Sequence, residues 1–380
     1  MMHMAEDTRV FTDATYSSIS GCKNLEGKSN EVLLPHGLDR TVEQVLPDNS
    51  VYKNVYRIEA GKNVSEQSDP LGNITVSYSD VRGNTVGIEK KDSSAKVLTK
   101  ARYEYDVLGQ MLTAYPADQR YPVTVSYDML GRKTSLSSSD SGTKEYVYNS
   151  KGQLAWESDS VLRTKGVRIS YEYDQFGRIE KIDYPYSTDS VYEYGKAGEP
   201  YNRAGKIVRV TDETGEIEYK YGKLGETVEE KRSIAHMNSF VHKEKTTALM
   251  SYTSDYLGRM QQIVYPDTEV VRYAYDEGGQ VTGIQGSYGG ITTEYVKDIG
   301  YDEYGQRVFI EYGNGVKTEY TYNKERRWLD KIQTQRGAES YQNIAYRFDT
   351  VGNVLGYTND TSYYSIEQNY TYDSLYQLTE

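Results

Sequence analysis

Few residues of this chain are equipped for bond-making chemistry, and their spacing does not favour it. The histidines are His3, His36, His236 and His242, and the one cysteine is Cys22. His236 and His242 stand outside any recognisable metal-ligand spacing, and they read as loop residues. The pairs Gly289-Gly290 and Gly313-x-Gly315 lie between strand-like stretches, with no helix start to receive a phosphate. Carboxylates are plentiful, at 56 Asp plus Glu. Two of them at the right separation could hydrolyse a glycoside. The aspartates, however, recur at a fixed distance from a glycine, and a backbone turn accounts for that spacing. The chain is therefore expected to be non-catalytic, with no cofactor and no metal.

The recurring unit is Tyr-Asp-x-x-Gly-Arg/Gln followed by an apolar residue. Clean copies are Tyr105-Asp106/Gly109, Tyr127-Asp128/Gly131, Tyr173-Asp174/Gly177, Tyr275-Asp276/Gly279 and Tyr301-Asp302/Gly305. Weaker ones fall at Tyr148-Asn149, Tyr201-Asn202, Tyr221-Gly222, Asp255, Tyr322-Asn323, Phe348-Asp349 and Tyr372-Asp373. Aspartate suits the start of a tight turn because its carboxylate accepts nearby backbone N–H groups, and glycine suits the end, where a positive φ is needed. Arg326 and Tyr376 occupy the glycine position of their copies, so those two turns should be strained or of another type.

Each turn is preceded by Tyr-x-Tyr: Tyr103/Tyr105, Tyr171/Tyr173, Tyr273/Tyr275 and Tyr320/Tyr322 are examples. Alternate residues of a strand share a face, so both tyrosines of a unit point the same way. These eight are the candidate aromatics to face a cargo or a glycan. Pro116, Pro185 and Pro266 each follow a tyrosine and end strands, because proline lacks the ladder donor. The expected fold is all-β: a repetitive antiparallel hairpin array forming a curved or spiralling sheet.

Composition fits a wall more than a globule. There are 40 Tyr against 5 Phe and 2 Trp, and 37% of residues are hydrophobic. Tyrosine packs its ring and keeps its hydroxyl hydrogen-bonded, as one layer with wet faces requires. The richness in Tyr, Val, Ile and Thr argues against disorder. A net charge of −12, with acids and bases interspersed, disfavours nucleic acid as a partner. A single cysteine rules out an intrachain disulfide. No apolar run is long enough for a transmembrane helix, and Met1–Phe11 lacks the apolar centre of a signal peptide.

The chain divides as follows. Residues 1–15 read as a disordered tail or tag. Residues 16–100 hold degenerate β-repeats, with turns at Asp69-Pro70-Leu71-Gly72 and Asp80-Val81-Arg82-Gly83 and a further one in His36–Arg40; a short helix over 38–46 is the alternative there. Residues 101–380 hold the array proper, interrupted by a long loop or insertion at 233–250. The sequence stops four residues after a turn, at Gln377–Glu380, so the array is expected to continue in a longer protein.

The Tyr-Asp-x-x-Gly-Arg/Gln array over about 69–380 resembles the YD repeats of the Rhs family. That family includes bacterial rearrangement-hotspot proteins, the B and C components of insecticidal toxin complexes, and animal teneurins. The resemblance implies a sheet spiralling into a hollow shell around a C-terminal toxin or unfolded cargo. It implies as partners the rest of the same polypeptide, including a core that closes the shell, and secretion or display at the cell surface. Asp69-Pro70-Leu71-Gly72 has the Asp-Pro-x-Gly element of the family's self-cleaving core, but it lies at the wrong end and reads as a turn. Tyrosine rings also stack on sugars, so a carbohydrate-binding adhesin is the competing reading.

Overall fold

The computed structural model describes residues 32–35, 40–117, 120–237 and 243–380. The tail at 1–15, Cys22, His3, residues 36–39 with His36, and His242 lie outside the described residues. Among the described residues twenty-nine strands follow one another from Val32–Pro35 to Ser365–Asn369. Each pairs antiparallel with the next in sequence, as Ile169–Tyr173 does with Ile179–Asp183 and that strand with Ser190–Tyr194. The result is a single ribbon of hairpins, the arrangement that short strands joined by tight turns produce most directly.

Such a ribbon has two long margins made of turns, or corners. One margin carries the Tyr-Asp-x-x-Gly corners, such as those at 106–109, 174–177 and 302–305; the other carries corners such as Leu46–Ser50, 69–72 and 289–290. Strand edges exist only at the ribbon's two ends. An open sheet normally risks pairing with other chains along its edges, and here the turns themselves remove most of that exposure.

The ribbon is one layer thick. Among the described residues the buried apolar side chains are Val64, Val76, Val125, Val271, Ile299 and Ile310. The accessible surface is 25772 Å², against roughly 15,000 Å² for a compact globule of this mass. Stability must then come from ladders and from contacts between neighbouring hairpins, as in other repeat proteins.

Alternation holds at four Tyr-x-Tyr pairs. Tyr103, Tyr105, Tyr171, Tyr173, Tyr273, Tyr275, Tyr320 and Tyr322 are all half-buried, while the residues between them, Glu104, Glu172, Ala274 and Thr321, are exposed on the other face. The strands before Pro116, Pro185 and Pro266 end at Tyr115, Asp183 and Val264.

Two expectations need correction, at 233–250 and at Tyr201-Asn202, and one alternative falls. The stretch 233–250 is mostly strand: Thr227–Met237 pairs with Lys243–Ser254 in the longest hairpin, with partners from Glu229↔Ser251 to Met237↔Lys243. Pairing along a ladder overrides the weak local preference of its Ala, His, Met and Lys residues. Over 38–46, residues Thr41–Val45 are strand and pair with Val51–Glu59, so the helical alternative fails where it can be tested. The corner near Tyr201-Asn202 is an excursion inserted between Gly195 and Lys206, where Gly195 N–H donates to the Lys206 carbonyl. Its true YD tyrosine is Tyr194, followed by Gly195 in place of aspartate. A short helix, Ser160–Thr164, capped by Asp159, also interrupts the all-β pattern at one corner.

The Asp-x-x-Gly corners share one geometry. At Asp174, Gly177 N–H donates to the Asp174 carbonyl (3.0 Å) and Asp174 N–H to the Arg178 carbonyl (2.9 Å). The carboxylate Oδ1 accepts from the N–H groups of Phe176 (2.8 Å) and Arg178 (3.0 Å). Gly177 sits at φ +84°, and a Cβ there would lie 3.1 Å from Gln153 Nε2. Gly177→Val is expected to destabilise the protein by about 1–3 kcal/mol, from left-handed strain and this contact. Thermal unfolding is the measurement, and an unchanged Tm would refute the corner assignment.

Candidate functional site

The repeated corner is the chemically organised part of this molecule, and what it does is hold its neighbours. Between hairpins the ladders stop short of the YD margin. Strands Ile179–Asp183 and Ser190–Tyr194 pair only at Lys181↔Val191 and Ile182↔Ser190. Beyond that point the strands diverge toward separate corners, and the Ile179 carbonyl loses a ladder partner. The Tyr194 hydroxyl donates to it, at 2.8 Å.

This strut repeats along the ribbon. The last tyrosine before a corner donates to the carbonyl of the first strand residue after the preceding corner. The pairs are Tyr105 to Thr85, Tyr127 to Met111, Tyr148 to Lys133, Tyr173 to Leu154, Tyr221 to Ile207, Tyr275 to Met260, Tyr301 to Val281, Tyr322 to Arg307 and Tyr372 to Val354, at 2.6–3.0 Å. Tyr56 does the same to Thr41. A buried carbonyl needs a donor, and phenylalanine cannot supply one. Phe348, Ser79 and Ser254 stand in the tyrosine position at three other corners, and at Phe348 Trp328 packs on the ring instead, with centroids 5.2 Å apart.

The Arg/Gln after the glycine is a second tie that the sequence pattern displayed without its reason. Arg178 Nε donates to Asp174 Oδ2 (2.7 Å), its Nη1 to the Gly205 carbonyl (3.0 Å), and its guanidinium lies 3.9 Å from the Tyr194 ring centroid. Arg132 and Arg259 repeat the contacts to their own aspartates and lie over Tyr148 and Tyr275. Gln153 and Gln306 reach the next corner's carbonyls, at Gly177 and Arg327, both at 3.0 Å. The Arg178 corner is thus fixed to itself, to the next corner and to the next tyrosine, and other corners share part of this set.

The predicted residues therefore fall into two groups. Asp106, Gly109, Asp128, Gly131, Asp174, Gly177, Asp276, Gly279, Asp302 and Gly305 all lie at corners with the 3→0 amide–carbonyl bond. Of the eight candidate aromatics, Tyr105, Tyr173, Tyr275 and Tyr322 already commit their hydroxyls to backbone. Arg307 also lies over the Tyr320 ring, at 5.0 Å. Tyr103, Tyr171 and Tyr273 share the same half-buried face. Burial, with Glu157 beside it, pushes the Tyr171 phenol up to about 12. Among the described residues no group of three or more His, Cys, Asp or Glu could hold a metal ion.

The titration of these ties is asymmetric. Arg132 holds the Asp128 carboxyl below its usual range; at Asp174 burial opposes, but the bonds from Arg178 and Phe176 outweigh it. Their folded pKa values are depressed, so their contribution is complete above about pH 4 and is lost as pH falls through the lower folded values. Burial raises the Tyr173 phenol, so its contribution is complete below about pH 10 and is lost at higher pH. Asp128→Asn with Asp174→Asn keeps the Oδ1 acceptor that Asn149 already uses and should flatten the loss of Tm below pH 4. Equal acid sensitivity of this double variant and the parent would count against the assignment. Tyr173→Phe should cost about 0.5–1.5 kcal/mol in denaturant unfolding; no change would show the strut to be inert.

A family model described as the teneurin YD-shell matches residues 71–300. The toxin subunit YenC2 of Yersinia entomophaga is 28% identical over 340 residues, covering 83% of this chain and 32% of that protein. The double-stranded DNA deaminase toxin A of Burkholderia cenocepacia is 24% identical over 263 residues, covering 66% and 17%. This chain therefore spans about a third or less of these relatives. Among solved structures, the TcdB2–TccC3–Cdc42 complex superposes with a TM-score of 0.80 over 92% of this chain and 19% of the matched one, at 20% identity, a likeness of fold. With its repeated corners, its tyrosine struts and a family match over more than half its length, the chain belongs to the teneurin YD-shell family.

Proposed function

We propose that this chain is a wall segment of a hollow shell that encloses a C-terminal toxin or other cargo within a larger secreted or surface protein, and that the segment itself is non-catalytic. The observation that carries this reading is closure of the ribbon. Arg326 Nη1 bonds Asp48 Oδ2 at 2.8 Å and Ser50 Oγ at 2.8 Å, across 278 and 276 residues of sequence. Tyr376 bonds both Asp69 and Asn73, some 300 residues before it. A one-layer ribbon that returns to its own beginning must go round a space. The two margins meet corner to corner, so the coil does not depend on pairing of strand edges.

The toxin-subunit relatives support an encapsulating role, and the partners in that role are the remaining parts of the same assembly: cargo and the segment that closes the shell. A wall whose polar ties are all internal suits the job. It presents a repetitive half-polar lining, on which an unfolded chain finds no single deep pocket. The adhesin reading is less favoured. A sugar stacking on Tyr194 or Tyr275 would have to displace the arginine already over the ring.

Small-angle scattering tests the shell. A hollow or open-curved particle should give a radius of gyration well above about 21 Å, the value for a compact domain of this length, with a pair-distance distribution skewed to long distances. A symmetric distribution at the compact value would overturn the reading.

A further inference from the structure

We propose that the coils of this ribbon recognise each other through a two-part corner code: a donor side chain in the glycine position of one corner, and an aspartate oxygen left open at the corner it meets. This rests on the shell reading above and adds which residues fix the winding. In the array, the fourth position of the Asp-x-x-Gly corner departs from glycine to a long side chain at Arg326 and Tyr376. These are the same two residues that bridge to the ribbon's beginning.

Neither departure is required by the corner itself. At Asn323 the turn lengthens by one residue: Arg327, at φ +59°, takes the left-handed role, and its N–H donates to the Asn323 carbonyl. Arg326 is thereby freed to project, and it also donates to the Thr350 carbonyl of the next corner (3.2 Å). At Asp373 the turn keeps its ordinary bonds, Tyr376 N–H to the Asp373 carbonyl and Asp373 N–H to the Gln377 carbonyl, both 3.0 Å. Tyr376 must then sit at φ +63°, which costs a residue with a Cβ conformational energy that glycine would avoid. The strained residue makes the contact.

The receiving corners are complementary. At Asp69, Oδ1 holds its own turn through the N–H groups of Leu71 and Asn73, and Oδ2 takes the Tyr376 hydroxyl. At Asp48, Oδ1 takes Ser50 N–H and hydroxyl, and Oδ2 takes Arg326. Neither host corner carries arginine directly after its left-handed residue, Asn49 or Gly72; Ser50 and Asn73 stand there. At Asp128, Asp174 and Asp255 that arginine is present and occupies Oδ2 from within the corner. A host corner thus lacks the internal arginine, and a guest corner lacks the glycine. Val351 and Leu375, two residues past their aspartates, are half-buried, whereas Leu108, Leu130 and Phe176 at the same position elsewhere are 74–77% exposed. The partner that such a margin fits is therefore the host-type aspartate margin of another coil of YD ribbon.

The test is amide hydrogen exchange by mass spectrometry on this chain and three variants, Arg326→Gly, Tyr376→Gly and Tyr376→Phe. Arg326→Gly should accelerate exchange at residues 46–50, and both Tyr376 variants at residues 69–73. The expected change is roughly tenfold, the scale of one charge-assisted hydrogen bond lost from a local opening equilibrium. Corners 128–131 and 174–177 should exchange as in the parent. Tyr376→Gly should also hold or raise the local protection of residues 373–377, because it relieves the positive-φ strain while releasing the coil. Unchanged exchange at 46–50 and 69–73, or uniform acceleration at every corner, would overturn the code. The two readings fail separately. A compact scattering profile for the parent ends the shell, whereas a curved parent whose variants exchange as it does ends the corner code.

Discussion

The hydrogen bond from a tyrosine hydroxyl to the carbonyl of the neighbouring hairpin is the constraint around which this structure is built. A ribbon of short hairpins has a weak place wherever two strands part toward different corners, because the ladder ends before the backbone polar groups do. Tyr194 bonding Ile179, and its equivalents along the margin, close that gap in most repeats. The demand for a ring and a donor in the same side chain accounts for eleven of the 40 tyrosines. It also accounts for the arginine laid on many of these rings, which fixes the phenol in place and ties the next corner to the last.

A wall of this kind distributes its stability. With six buried apolar side chains among the described residues, no large apolar cluster holds the whole together. Each hairpin depends on the one before and after it, and contacts between elements are overwhelmingly between sequence neighbours. The architecture is therefore tolerant of length: hairpins can be added, extended or decorated without disturbing a core. The long pair Thr227–Met237 and Lys243–Ser254, the excursion at 195–206 and the short helix at Ser160–Thr164 are three such decorations, and the ladder continues past each of them. Enclosure by such a wall does not call for a site that recognises a particular cargo, because the space is defined by the winding.

Much of this was legible in the residues. The period-two tyrosines identified strand faces, and the aspartate-to-glycine spacing identified corners with the bonds that Asp174 and Gly177 make. The reading of 233–250 as loop failed because side-chain preference was weighed against a ladder that only a partner strand reveals. The reading of Tyr201-Asn202 as a corner failed for a related reason. A Tyr-Asn pair has the right chemistry, but Gly195 and Lys206 bracket an insertion that pattern matching cannot distinguish from a repeat. The Tyr-x-Tyr pattern by itself suggests a binding surface, because the acceptors of the strut hydroxyls lie 14 to 20 residues away in the chain.

What the sequence by itself determined is local: strand, corner, strand, and the face each tyrosine takes, because those follow from dihedral preference and a repeat short enough to see. What the tertiary structure decided is where the ribbon meets itself. The odd residues at 326 and 376 looked like defects in a repeat. Their partners at Asp48 and Asp69 lie 278 and 307 residues away. That distance is set by small twists and bends accumulated over many hairpins, a sum no single corner encodes.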